Sequence, residues 1–348
     1  MRKFLLISFL LIVLLAGYFA YNFFRPAVYK GDTDGQYLYI RTGDDMASLR
    51  KNLDDQHYIH GGGFNLVSNI LGFKKPRPGR YKITNGMSIF RLVRMLRNGA
   101  QSPVRMVIIR ERTRETFAGK FGKGKKFDTE FDSLQMIRFL NNPDSLLKYE
   151  LDTNTVMAVI MPLTYETNWN SSPSRVFKQF HTAYKTFWNK DRMRKCTEIG
   201  YDPIQVTTIA SIVDEETNLK EDKYKIASTY LNRLRIGMKL QADPTVKYAL
   251  KDFGLRRILH KHLEVNSPYN TYLNSGLPPG PICTPSPESI DAVLDAPATD
   301  YLYFVASDRF DGSSVFSSNL DDHQKLARQY QKALDVRFDS INKARSIK

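Results

Sequence analysis

The chain is 348 residues long, enough for about two domains and a good-sized core. Its 42% hydrophobic and 25% charged residues are ordinary for a folded protein, but a formal charge of +15 implies an anionic partner or surface. Nucleic acid is the first candidate for such a balance, and the N-terminus argues against it. After Arg2 and Lys3, residues 4–24 (FLLISFLLIVLLAGYFAYNFF) carry no charge. As a helix they would reach about 31 Å, enough to cross a bilayer. A cleaved signal peptide would have a shorter apolar core and a small-residue cleavage site. Here Tyr18, Phe19, Tyr21 and Phe23 crowd the far end, as an interfacial aromatic belt does. Residues 1–25 are therefore expected to be a cytoplasmic tip and an uncleaved single-pass transmembrane anchor. Arg25 and Lys30 nearly balance Arg2 and Lys3, so orientation rests on the tiny N-terminal flank, which favours N-inside with the body outside the cytoplasm. No second apolar run of that length follows.

Residues 26–35 (PAVYKGDTDG) read as a linker. Two strand–turn–helix units follow: YLYIRTGDDMASLRKNL, with Met46, Leu49 and Leu53 on one helix face, and GRYKITNGMSIFRLVRMLRNG, with Ile89, Leu92, Val93 and Leu96 on one face. With a third strand, VRMVII (104–109), they predict a small α+β module over 36–105. The basic stretch GKFGKGKK (119–126) lacks the Walker spacing and its Ser/Thr, so it reads as a solvated loop and not as a phosphate cradle. Residues 106–200 are a mostly helical intervening region, interrupted by MPLTYETNWNSSPS (161–174). Cys196 and Cys283 could pair in an oxidising compartment, though nothing local requires it. The short histidine pairs His57/His60 and His260/His262 have no cysteine pair or HExxH beside them, which argues against zinc.

From 201 to 348 the signals sharpen. TTIASIVDEETNL (207–219) is an apolar run that ends in Asp214, Glu215 and Glu216. At about 100° per residue, Ile209, Ile212, Val213 and Glu216 share a face, whereas Asp214 falls opposite and Glu215 lies off the stripe. A carboxyl on an apolar face has its ionised form disfavoured, which raises its pKa toward the range of a general acid. The alternative is a structural ion pair with Arg233 or Arg235. A helix over IASTYLNRLRIG, capped by Gly237, precedes a short strand in MKLQADPTV and a helix opened by Pro244. NSPYNTYLNSGLPPGPICTPSPES (266–289) is too rich in Pro, Gly and Asn for regular structure, yet carries aromatics, which marks a functional loop. A helix after Ser286-Pro287, a hairpin across Asp311-Gly312 and an amphipathic helix close the chain.

ASIVDEET (210–217), YLNRLRIGMKLQADPTVKYAL (230–250), SPYNTYLNSGLPPGPICTP (267–285) and YLYFVA…FSSNLDDH (301–323) together resemble the endolytic murein transglycosylases, the MltG or YceG-like family. The resemblance implies a transmembrane helix, a small LysM-like α+β module and a mixed α+β catalytic region. It further implies a membrane-anchored cell-envelope enzyme that cuts peptidoglycan glycan strands internally, leaves 1,6-anhydro-N-acetylmuramic acid ends and so terminates nascent strands. It places the catalytic glutamate at Glu216, the residue that the helix face selects. Three positions depart from the family pattern: Leu163 in Met161-Pro162-Leu163-Thr164-Tyr165, where an acid is usual; Asp214, where Glu is usual; and Ser286, where Gly is usual.

A lytic reaction suits a single acid, because the muramic acid's own 6-hydroxyl attacks C1, whereas a hydrolase normally needs a second carboxylate. Tyr269, Asn270, Thr271 and Tyr272 are the expected sugar contacts, with Gln241 and Asp243 as wall residues. Against these stand core tyrosines, Asn270 as a turn former and Asp243 as a cap before proline. No cofactor or metal is expected. The expected partners are peptidoglycan, the cytoplasmic membrane and peptidoglycan synthases, and nucleic acid is not among them. A muramidase pairing Glu216 with Asp243 and a non-catalytic anchored wall-binding protein are the rival readings.

Overall fold

The computed structural model describes residues 2–28, 37–59 and 63–346. Most of the expected linker, together with His60, lies outside the described residues. The chain divides into two compact units. The first takes in residues 1–106, 121–132 and 166–172, and the second takes in 107–120, 133–165 and 173–348.

The first unit opens with helix α1 (Arg2–Phe24). Its apolar side chains point outward, with Phe4 81% exposed. Among the described residues, however, no helix is long and apolar enough to cross a membrane. Strand β1 (Tyr37–Ile40) pairs antiparallel with β2 (Gly79–Lys82), with Tyr37 opposite Lys82 and Ile40 opposite Gly79. Helices α2 (Met46–Asp55), α3 (Phe64–Ile70) and α4 (Ile89–Asn98) pack on this ribbon. Their shared core gathers Leu38, Ile40, Leu49, Leu53, Leu92 and Leu96. The alternation in β1 and the one-sided stripes of α2 and α4 are what bring these residues together. Asp45 and Ser88 cap the starts of α2 and α4, each accepting a backbone N–H three residues on.

Next come β3 (Val104–Val107), α5 (Arg114–Ala118), α6 (Ser133–Leu140), α7 (Pro143–Leu147), a 3-10 turn (Val156–Val159) and β4 (Thr164–Thr167), the partner of β3. The second unit is built chiefly from α8 (Pro173–Phe187), α9 (Lys190–Ile199), α10 (Pro203–Glu216), α11 (Lys220–Arg235), α12 (Asp243–Leu250), α13 (His260–Leu263) and α14 (Pro287–Leu294). A hairpin of β5 (Tyr303–Ala306) and β6 (Ser314–Ser317) and the long α15 (Leu320–Ser346) complete it. Its core joins Val206, Ile209, Ile212 and Val213 of α10 to Ile226 and Tyr230 of α11 and Ile290 and Val293 of α14.

Helix α10 starts where the sequence demands. Asp202 accepts the Gln205 N–H at 2.9 Å, the Gln205 side chain accepts the Asp202 N–H at 3.0 Å, and Pro203 occupies the first turn. In one respect α10 differs from the sequence reading. It is buried on every side from Val206 to Asp214, because α9, α11, α12 and α14 all pack against it. A single apolar stripe therefore does not describe it, and Asp214 does not face water.

Candidate active site

The three acids that end α10 have three different fates. Asp214 is 2% exposed and sits at the centre of a charged knot. Arg110 Nη2 lies 2.8 Å from its Oδ2, and Lys223 Nζ lies 3.2 Å from its Oδ1. Ser286 Oγ donates to Oδ1 at 2.8 Å, and Ser289 Oγ donates to the same atom. Burial alone would raise this carboxyl, but the two serine hydroxyls, Arg110 and Lys223 hold it below its ordinary value. Glu215 forms a bidentate pair with Arg112, at 3.0 Å and 2.9 Å.

Glu216 makes no ion pair among the described residues, so the expected alternative pairing with Arg233 or Arg235 is absent. Its Oε1 accepts a single bond, 2.7 Å from the Tyr230 hydroxyl. Burial raises its pKa from 4.5 to about 7, Asp243 adds to the rise, and Tyr230, Lys247 and Arg233 oppose it. A carboxyl half-protonated near neutrality, with one oxygen fixed, can give and take a proton.

Glu216 opens onto a cleft of about 380 Å³. Tyr230 and Arg233 from α11, Gln241 and Asp243 ahead of and at the start of α12, and Tyr272 from the 266–286 loop form part of its wall. Leu240, together with Tyr303 and Phe304 of β5 and Leu320 and His323 of α15, forms the rest. Arg233 is locked by backbone carbonyls, donating from Nε to Leu302 O and from Nη1 to Leu240 O, both at 2.6 Å. Its guanidinium lies over the Tyr303 ring at 5.4 Å. The His323 ring stacks on the other partner of that cluster, 5.2 Å from the Tyr303 centroid. Burial and Arg233 push the imidazole below its ordinary pKa.

The six expected binding residues separate into three groups. Tyr272, Gln241 and Asp243 line the cleft, and the Tyr272 hydroxyl donates to Asp243 Oδ1 at 2.7 Å. Asn270 and Thr271 are buried, and their side chains are committed to the fold. Asn270 Nδ2 donates to Leu263 O at 2.8 Å and to Val265 O at 2.9 Å. Thr271 Oγ1 accepts the Ala242 N–H at 3.0 Å and lies 2.8 Å from Thr245 Oγ1. Tyr269 lies beside Tyr248, with ring centroids 4.6 Å apart, away from the residues that line the cleft. No strand forms in MKLQADPTV. Gln241 adopts a left-handed φ of 49°, which breaks any ladder, and the segment is tied to the loop by the Gln241 N–H to Thr271 O bond of 3.1 Å.

Tyr230, Tyr303 and His323 were not expected as site residues, and Arg233 was considered only as an ion-pair partner of Glu216, although all four lie within quoted motifs. The helix-face spacing from Glu216 across a turn to Tyr230 is a tertiary contact between two helices, which no local period reveals. Cys196 and Cys283 are both free and buried. Two of the three departures from the family pattern meet in space: Ser286 supplies the hydroxyl that reaches Asp214. A shorter acid and a serine in place of glycine fill one volume together.

A profile of the YceG-like family matches residues 38–329. The chain belongs to the YceG-like family. Within it, the chain is 30% identical over 314 residues to a Bacillus subtilis protein named endolytic murein transglycosylase, covering 84% of this chain and 83% of that one. A Streptococcus pneumoniae protein of the same name is 25% identical, over 94% of this chain and 65% of its own length. Among solved structures, a YceG-like protein of Listeria monocytogenes aligns with a TM-score of 0.55 and 26% identity, over 85% of this chain and 99% of that one. The matched YceG-like region contains every residue of the Glu216 cleft.

Proposed function

We propose that this chain is an endolytic murein transglycosylase, a lyase that cleaves the N-acetylmuramic acid–N-acetylglucosamine β-1,4 bond of glycan strands with Glu216 as sole acid and base. The observation that carries the reading is that Glu216, alone of three adjacent acids, is free of a cation, raised to about 7 and open to a cleft. The names borne by the relatives point the same way. Protonated Glu216 gives its proton to the glycosidic oxygen as the C1–O bond breaks. The sugar's 6-hydroxyl oxygen closes on C1, and its proton returns to the carboxylate. Atoms and charge balance without water, and the 1,6-anhydro end is the product. The fixed 6-hydroxyl replaces the second carboxylate that hydrolysis would need. Tyr272, Gln241 and Asp243 are the proposed sugar contacts, with Tyr303 as a further ring for a pyranose face. Asn270 and Thr271 shape the loop that presents Tyr272.

Residues 4–24 support an anchor reading: an uncharged stretch of about 31 Å, with aromatics toward its far end, is stabilised by hydrocarbon and not by water. The body would lie on the outer face of the cytoplasmic membrane, within reach of nascent strands and of the synthases that make them. The module over 36–105 would be LysM-like and help to position glycan. A muramidase pairing Glu216 with Asp243 keeps one observation in its favour, since both acids line one cleft. Mass spectrometry of muropeptides after digestion of purified sacculi decides between the two. Anhydro-muramic ends are expected, and reducing muramic acid ends would overturn the lytic assignment. Glu216→Gln should lower turnover by at least the roughly 10²–10⁴-fold of general acid–base catalysis, with folding intact. Undiminished turnover would remove Glu216 from the chemistry.

A further inference from the structure

The first unit contains a groove of about 660 Å³, larger than the Glu216 cleft. One side is α2 and its C-cap, from which Ser48, Asn52 and Gln56 project at intervals of four residues, along the flank of the stripe that buries Leu49 and Leu53. These polar side chains form a ladder. Gln56 Nε2 donates to Asn52 Oδ1 at 2.6 Å, and Asn52 Nδ2 donates to Tyr39 O at 3.0 Å. The floor is aromatic, with the rings of Tyr39 and Trp169 5.1 Å apart. Tyr39 is fixed by donating its hydroxyl to Asp128 at 2.5 Å. Trp169 is 5% exposed, and its indole N–H finds no acceptor among the described residues.

The rim is the basic stretch that reads in the sequence as a solvated loop. It is held rigidly. The Gly122 N–H donates to Phe127 O at 3.1 Å, the Lys125 N–H donates to Gly122 O at 3.0 Å, and Phe121 stacks on Phe131 at 5.2 Å. Gly122 and Gly124 take φ values of 124° and 70°, conformations that a side chain would strain, and so present Lys123 and Lys125 at the groove. Lys126 instead lies over the Phe127 ring.

Rings, amides and a hydroxyl suit a pyranose and its N-acetyl groups, whereas two lysines beside them suit a carboxylate. Arg41, Asp44 and Asp128 also line the groove. Two acids inside it disfavour a polyanionic surface but tolerate a single carboxylate docked at the lysine rim. We propose that this groove is a second carbohydrate subsite, selective for glycan that still carries peptide stems, with Lys123 and Lys125 receiving a stem carboxylate. The inference rests on the peptidoglycan reading of the chain and deepens it: the groove would hold the unprocessed part of a strand while another part is cut.

The test uses the full chain carrying Glu216→Gln, with and without Lys123→Gln and Lys125→Gln, titrated calorimetrically with three probes. These are a disaccharide-tetrapeptide muropeptide, chitotetraose and phosphatidylglycerol vesicles. Loss of the lysines should weaken muropeptide binding roughly five- to tenfold, as expected for a partly exposed ion pair, and leave chitotetraose unchanged. Both lysines are exposed, so the thermal midpoint should not move. Equal losses for both sugars, no loss, or lysine-dependent binding that appears with vesicles in place of muropeptide would overturn the proposal. With Glu216 intact, the lysine variants should still produce anhydro ends. A failure of the groove is thereby told apart from a failure of the lyase reading.

Discussion

Tyr230 does two opposite things to Glu216. Its ring, with the core behind it, helps remove water from the carboxyl, which raises the pKa. Its hydroxyl, 2.7 Å from Oε1, stabilises the ionised form and lowers it. The balance leaves the group at about 7, poised between acid and base. Tyr230→Phe keeps the ring and removes only the donor. The Glu216 pKa should then climb further, because the lost bond favoured the carboxylate. Chemistry that begins with a protonated Glu216 should persist to higher pH, so the alkaline limb of the kcat–pH profile should shift upward by about one unit. The maximal rate should fall roughly tenfold, since the carboxyl loses its fixed orientation. A limb that stays in place while the rate falls would mean that Tyr230 positions the acid without tuning it.

At the scale of elements, the Asp214 knot joins α10, α11 and α14 and so sets where the last turn of α10 points. Lys223 is reached both by Asp214 and, at 3.3 Å, by Glu288. A shorter acid paired with Ser286 should behave as a coupled unit. Ser286→Gly alone would leave a hole and a missing donor, and Asp214→Glu alone would overfill the site. The double variant should recover much of the loss, with a coupling energy of about 1–2 kcal/mol in a double-mutant cycle of thermal or urea unfolding. Strict additivity would show that the two positions are independent. This knot also marks the limit of sequence reading. The strand–turn–helix repeats and the hairpin across Gly312 were legible, because each depends on a local period or a local turn. Glu216 was chosen because three apolar neighbours share its face, but α10 is buried all round to Asp214, so that stripe does not by itself distinguish the two acids. The burial of Asp214, the commitment of Asn270 and Thr271 to the loop, and the role of Tyr230 were not legible. Ser289 for Asp214, Ala242 for Thr271 and Tyr230 for Glu216 are partners 14 or more positions away, and the Asn270 amide is spent on the carbonyls of Leu263 and Val265, a loop geometry with no periodic signature.

For the whole molecule, the uncharged run near the N-terminus of a chain of formal charge +15 bears on where the protein resides. If residues 4–24 anchor the chain, deleting residues 1–25 should release the protein from the membrane fraction while leaving anhydro-product formation on purified sacculi within about twofold. A reporter at the C-terminus of the intact chain should read as outside the cytoplasm. A cytoplasmic reading would separate the enzyme from its proposed substrate and sink the assignment. The seam between catalytic loop and catalytic helix has a further consequence. The Ile282 N–H donates to Ser211 Oγ at 3.0 Å, and the neighbouring Cys283 thiol, pushed well above its ordinary pKa by burial, rests 3.4 Å from Ser211 O. In the closed protein that sulfur is an inert, inaccessible thiol. Were the loop to lift from α10, that sulfur would become an alkylation target, so the rate of Cys283 labelling would time any opening of the loop beside Glu216.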